Sequence, residues 1–268
     1  GSRIDTTSWN FHNSDLDGRF NGELQSYNHD RTNTFLEDGK LHIRVVQNDT
    51  RFSSGRVTTQ HKHDFLYGRF EVRAVLPRVT ALWPAIWMLT TDFPYGPWPN
   101  SGEIDIMEYR SCEPERIFAT VHTQNFNHLI NTQVGQAIEG VDVRQWHLYW
   151  MEWDEDEVRV GLDDVQFFNF TNVFEEDDTD SWPFKNSHHL ILNVAVGGNF
   201  FDACPEPIPA LPNITGNDPS ENELLVESAR VFTRCTDIGE DPFASGKFLT
   251  CCGSLVSCTN TWGEDDTE

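Results

Sequence analysis

An all-β fold, a sandwich or jelly roll, is what this sequence predicts, and three observations carry the prediction. Short runs rich in β-branched and aromatic residues recur along the 268 residues. Many alternate apolar and polar positions, with turn-forming residues between them. No segment sustains a helical period, and many evenly spaced strands without helices pack as two sheets. The length fits either one large all-β domain or two small domains, and is enough to bury about 70–75% of the unfolded chain's surface without a staple.

The expected strands run in order. Residues 41–47, 56–60 and 67–76 come first, and in the third of these Arg69, Glu71 and Arg73 share one face. Residues 84–90, 103–109, 117–123, 146–153, 157–162 and 165–170 follow. Asp154-Glu-Asp-Glu157 and Asp163-Asp164 supply hairpin turns between the later ones. Residues 189–196 and 224–234 complete the set. The acidic stretch 173–183 reads as an exposed loop, and 202–221, with five prolines, as a long surface loop. Residues 1–235 are therefore expected to form a single domain. Residues 236–268, with three cysteines and an acidic end, read as a disulfide-tied extension, not a second domain.

Charge narrows the partners. Lys and Arg number 19 against 43 Asp and Glu, a net charge of −24. Such a polyanion repels phosphate backbones and anionic lipid, so neither nucleic acid nor a membrane surface is expected to bind. Heavily sulfated polysaccharides are disfavoured for the same reason. The six cysteines, Cys112, Cys204, Cys235, Cys251, Cys252 and Cys258, lack the spacing of a zinc site. An even cysteine count and three N-x-[ST] sequons, at Asn48, Asn169 and Asn213, point to a secreted glycoprotein with disulfides. No apolar run reaches the roughly 20 residues of a membrane span. Gly1-Ser2 reads as a cloning remnant, so a missing leader carries no information.

The chemistry concentrates in Trp98-Pro-Asn-Ser-Gly-Glu103-Ile-Asp105-Ile-Met-Glu108. In a strand Glu103 and Asp105 share a face, with Ile104 and Ile106 pointing into the core. Strict alternation would then bury Glu108 unpaired, which is costly. One extra residue, a bulge near Ile106 and Met107, returns Glu108 to the carboxylate face. Four strand steps then separate the two backbones by about 13 Å. Side chains that lean inward by about 4 Å each leave the carboxyls about 5 Å apart, the retaining separation in glycosidic-bond hydrolysis. Asp105 would hold the two pKa values apart. A solvated strand with acids on its wet face is the bland alternative. Trp83 and Trp87, four apart and so on one strand face, and Trp98 nearby offer flat surfaces on which sugar rings stack.

Gly102-Glu103-Ile104-Asp105-Ile106-Met107-Glu108 resembles the E-x-D-x-x-E motif of glycoside hydrolase family 16, in its laminarinase-like branch. Supporting matches run over residues 4–234. They include Asn21-Gly-Glu-Leu-Gln-Ser-Tyr27, Ser54-Gly-Arg-Val-Thr-Thr59, Leu82-Trp-Pro-Ala-Ile-Trp-Met-Leu89 and Leu192-Asn-Val-Ala-Val-Gly-Gly198. The resemblance implies a β-jelly roll of two antiparallel sheets with a concave cleft. It implies a retaining endo-acting enzyme with Glu103 as nucleophile, Glu108 as acid/base and Asp105 assisting. Asn21, Arg56, Trp83, Trp87, Trp98 and His122 would line the cleft. No cofactor is expected to be required. A structural calcium is implied for many members, with Glu227 matching one ligand, but the first strand of that site is missing here. After Gly198 many members have Asn-Trp-Pro-Gly, where this chain has Asn199-Phe-Phe-Asp-Ala-Cys204.

The expected substrate is β-1,3-glucan, with mixed-linkage β-1,3-1,4-glucan as a co-substrate, and the expected state a secreted monomer. The alternatives are a non-catalytic β-glucan recognition protein, which would lack the glutamates present here, and a hydrolase of algal galactans such as agarose or carrageenan. A calcium-dependent lectin is a third. The pair His61-x-His63 has no third ligand nearby and His188-His189 puts its rings on opposite strand faces, so no catalytic metal is expected.

Overall fold

In the computed structural model, which describes residues 4–13, 20–204 and 219–233, two seven-stranded sheets stack around one core. The first runs β1 (Asn10–Phe11), β7 (Arg56–Thr58), β16 (His188–Val196), β9 (Leu82–Thr90), β10 (Glu103–Glu108), β11 (Arg116–His122) and β12 (Val134–Glu139). The second runs β15 (Val165–Thr171), β14 (Glu157–Leu162), β13 (His147–Trp153), β8 (Gly68–Val75), β17 (Glu223–Phe232), β4 (Lys40–Arg44) and β3 (Thr34–Glu37). A small sheet of β2 (Gln25–Tyr27), β6 (Arg51–Ser54) and β5 (Val46–Asn48) flanks them. Neighbours in the two large sheets are antiparallel, whereas β2 and β6 are parallel. The only helical segments among the described residues are short 3-10 turns, at His128–Ile130, Asn199–Ala203 and Pro219–Asn222. The predicted jelly-roll sandwich is the fold.

Strand alternation builds the core. On β8 every second residue is buried, so Phe70, Val72 and Ala74 face inward while Arg69, Glu71 and Arg73 face out, as expected. Ile86, Met88 and Ile104 of the first sheet join Phe70, Val72, Met151 and Val226 of the second in one cluster. Strand β16 is buried on both faces. Leu190, Leu192, Val194 and Val196 pack into the core cluster. His189, Ile191, Asn193 and Ala195 alternate with them and so belong to the opposite face.

Several expectations need correction. Residues 41–47 are two strands in different sheets, because the chain leaves the second sheet at Val45, whose N–H donates to Asn222 O at 3.0 Å. Leu41, Ile43 and Val45 are all buried, so the alternation runs on through the bend and hides it. Strand β12 adds to the expected set, since its solvent-facing edge carries little apolar patterning. The stretch 173–183 is not wholly exposed. Trp182 is buried, stacked 5.4 Å from Phe170 and edge-on to Phe184, and it anchors the end of that loop. Of the predicted loop 202–221, residues 205–218 lie outside the described residues, as do the extension 236–268 and Asn213. Cys112 pairs with Cys204. The other four cysteines lie outside the described residues.

Candidate active site

The bulge falls where the cost of burying Glu108 required it. Across β9, Asp105 faces Trp87 and Met107 faces Ile86, so Ile106 is the extra residue. From Glu103, opposite Leu89, to Glu108, opposite Ala85, five steps of β10 match four of β9. Across β11 the same five steps match the four from His122 to Phe118. Ile106 and Met107 both enter the core, 1% and 0% exposed, and Glu103 and Glu108 stay partly open. Asp105 between them is buried.

Each glutamate takes a tryptophan N–H. Trp98 Nε1 donates to Glu103 Oε2 at 2.9 Å, and Trp83 Nε1 to Glu108 Oε1 at 3.0 Å. Opposite residues of an antiparallel pair share a face, which puts His122 beside Glu103. Its Nε2 lies 3.4 Å from Asp105 Oδ2 and 4.0 Å from Glu103 Oε1. The loop before β10 delivers Trp98. Ser101 Oγ accepts from Tyr95 N–H and donates to Gly96 O. Gly102, at φ +90°, turns into the strand, where a Cβ would come within 2.8 Å of Phe184.

Crowding three carboxyls in one shielded place raises their pKa values. Burial pushes Glu103 up to about 8, with Asp105 and Glu108 adding repulsion and His122 and the Trp98 N–H opposing it. Burial likewise pushes Asp105 up to about 8. Glu108 also reaches about 8, from burial and then Asp105, opposed by His122, the Trp83 N–H and Arg110. The cluster therefore keeps protons at neutral pH, which lets one carboxyl act as an acid beside an ionised neighbour.

A second group lies across β9 and β16. Trp87 Nε1 donates to Asn193 Oδ1 at 2.7 Å, and Asn193 Nδ2 to Tyr27 OH at 3.1 Å. The Arg56 guanidinium sits 4.9 Å over Trp87 and 6.0 Å from the Tyr27 ring. Glu23 accepts from Gln25 Nε2 at 2.5 Å, and burial raises its pKa. Asn21, on an exposed turn at φ 54°, accepts from Asn199 N–H at 2.7 Å beside Trp83.

Thus Glu103, Asp105, Glu108, Trp83, Trp87, Trp98, His122 and Arg56 come together on one sheet face, with Asn21 at its rim. Sequence reasoning missed Glu23, Tyr27, Asn193, His128, Phe118 and Phe200. His128 stands 5.0 Å from Trp98 and 5.2 Å from His122. The polar position of Asn193 within the otherwise apolar run 190–196 is the one signal available for it.

Glu103, Asp105 and His122 are the one group among the described residues whose ligand atoms, all within 4.8 Å of one another, could hold a metal ion. Glu227, the expected calcium ligand, pairs with Arg73 Nε at 2.5 Å. A cation there would compete with that guanidinium for the Glu227 carboxylate. His63 contacts Ser8 Oγ at 3.1 Å, and His188 packs 5.0 Å from Trp153.

The sequence profile described as "Glycosyl hydrolases family 16" matches residues 18–202. The "Beta-glucanase" of Rhodothermus marinus is 38% identical, over 79% of this chain and 74% of that protein. The "Glucan endo-1,3-beta-glucosidase" of Cryptopygus antarcticus is 37% identical, over 74% of this chain and 77% of that protein. Among solved structures, a mutant of SCLam, described as a non-specific endo-beta-1,3(4)-glucanase with 1,3-beta-D-cellobiosyl-glucose at its active site, superposes with a TM-score of 0.76. It is 33% identical, and the match covers 87% of this chain and 90% of that one.

Proposed function

The chain belongs to glycosyl hydrolase family 16, and from that premise we propose that it is a retaining endo-β-1,3-glucanase. The observation that carries the reading is the pair of glutamates brought to one face of one strand by a bulge, with a buried aspartate between them.

In this reading Glu103 attacks the anomeric carbon while Glu108 gives its proton to the departing glycosidic oxygen. A glycosyl ester on Glu103 results. Glu108, now ionised, takes a proton from water, and the hydroxide oxygen displaces Glu103 from the sugar. The Trp98 N–H and a protonated Asp105 stabilise the Glu103 carboxylate between turnovers, and the carboxyls supply nucleophile and acid without a cofactor. Trp98 and His122 flank the cleavage point, while Trp87 and Arg56 form a stacking floor farther along the face. Asn21 closes the rim. Mixed-linkage β-1,3-1,4-glucan is a co-substrate, supported by the non-specific action stated for SCLam.

The protein is a secreted monomer and glycoprotein in the same reading, supported by the disulfide and by the exposed sequon residues Asn48 and Asn169. No helix among the described residues is long and apolar enough to cross a membrane. Reducing-sugar release from laminarin, barley mixed-linkage glucan, agarose and carrageenan tests the substrate. Laminarin is expected to be cleaved fastest, into a ladder of oligosaccharides. Cleavage of agarose alone would refute the glucanase reading.

A further inference from the structure

Three side chains with metal-ligand atoms converge at the Glu103 end of the carboxylate face. Glu103 and Asp105 stand two apart on β10, and His122 on β11 is the cross-strand partner of Glu103. All three therefore rise from paired strands of one sheet, not from loops. His122 Nε2 lies 3.4 Å from Asp105 Oδ2 and 4.0 Å from Glu103 Oε1. The Trp98 N–H takes Glu103 Oε2, so the other oxygen of that carboxyl is the one that faces His122. Asp105 and His122 are 3% and 7% exposed. Asp105 Oδ2, aimed into this point, has no hydrogen-bond partner among the described residues, a costly state for a buried oxygen.

The spacing suits a small dication. Zinc holds imidazole nitrogen at about 2.0–2.1 Å and carboxylate oxygen at about 2.0–2.2 Å, which sets tetrahedral ligand atoms about 3.4 Å apart. The His122–Asp105 separation already has that value, and Glu103 needs only a small rotation of a half-open side chain to reach it. Two carboxylates and a neutral imidazole around a dication leave no net charge, as a shielded site requires. Calcium takes about six to eight oxygen ligands, which one imidazole and two carboxyls serve poorly. An imidazole with carboxylates suits zinc and its transition-metal neighbours instead. The net charge of −24 draws cations towards the protein.

We infer that Glu103, Asp105 and His122 form an inhibitory site for a transition-metal dication of the zinc class. The inhibition rests on the hydrolase reading, whereas the binding does not. Glu103 is partly open, so the ion enters from the cleft without any strand moving. It occupies the Glu103 oxygen that would attack the anomeric carbon, and it stands where the reacting sugar must sit. Metal and polysaccharide then exclude each other.

Cobalt(II) is the probe, because its visible absorption reports the ligand type. Titration into the full chain is expected to show one equivalent with nitrogen/oxygen d–d bands and no thiolate charge-transfer band, which separates this site from cysteine. His122→Gln and Asp105→Asn each weaken that equivalent by about 100-fold, the upper end of what even an outer hydrogen-bond partner of a ligand costs. His63→Ala leaves it unchanged and controls for histidines elsewhere. Excess laminaribiose bleaches the bands in the wild type, a readout that needs no variant to fold. In laminarin assays Zn²⁺ raises the apparent KM without changing kcat, and EDTA restores the rate. Bands that persist in His122→Gln or under excess laminaribiose, or inhibition that leaves the apparent KM unaltered, overturn the site. A wild type that cleaves nothing, yet binds cobalt through His122, overturns the glucanase reading while bearing out the binding site.

Discussion

Glu103→Gln is expected to slow laminarin hydrolysis by about 10⁴-fold or more, a barrier increase of roughly 5 kcal/mol. The amide keeps the size of the side chain but offers no anionic oxygen to the anomeric carbon, so the first displacement has no nucleophile. Substrate affinity is retained, because the stacking surfaces are untouched. Initial rates together with binding by titration calorimetry check both statements.

The same substitution is expected to change stability in the opposite sense. Burial, with repulsion from Asp105 and Glu108, lifts the Glu103 pKa from an ordinary 4.5 to about 8. The folded cluster therefore holds more protons than the unfolded chain between about pH 4.5 and pH 8. Its favourable contribution is complete below that window and is lost as pH rises through it. Glutamine removes the titration, so the variant's Tm exceeds that of the wild type by a few degrees at pH 8, and the gain shrinks towards pH 4.5. A variant that is equally destabilised at both pH values would contradict the crowded-carboxylate description.

Glu108→Ala carries the second large effect, and its signature is selectivity among leaving groups. On laminarin the loss is about 10³-fold, within the usual range for a missing general acid. A dinitrophenyl glucoside needs no proton to depart, so its first bond is still broken quickly. The glycosyl ester then accumulates, because no base activates water. Added azide attacks without deprotonation and restores turnover as a β-glycosyl azide. Equal losses on laminarin and on the dinitrophenyl substrate, without azide rescue, would remove Glu108 from the acid/base role.

Much of this site is legible in the chain because its logic is local. Alternation places Glu103 and Asp105 together, and the cost of burying Glu108 demands one extra residue where Ile106 is found. The four-residue spacing of Trp83 and Trp87 puts both on the open face. What stays hidden depends on register between distant strands. Asn193 meets Tyr27 across 166 positions, and no local pattern announces that pairing. Phe200 stands out in the sequence only as a departure from the expected run, and its contact with Arg110 and the Cys112–Cys204 link join segments about ninety positions apart. The bend at Val45 escapes notice because apolar alternation continues straight through it.

The central claim, that Glu103 and Glu108 work as a nucleophile and acid/base pair on one strand, is tested most directly by the configuration of the product. Proton NMR during the first minutes of laminarin hydrolysis resolves the new reducing ends before mutarotation mixes them. Two displacements predict that the β-anomer appears first and the α-anomer only later, by mutarotation. An α-anomer formed first would mean a single displacement by water, and would contradict the account.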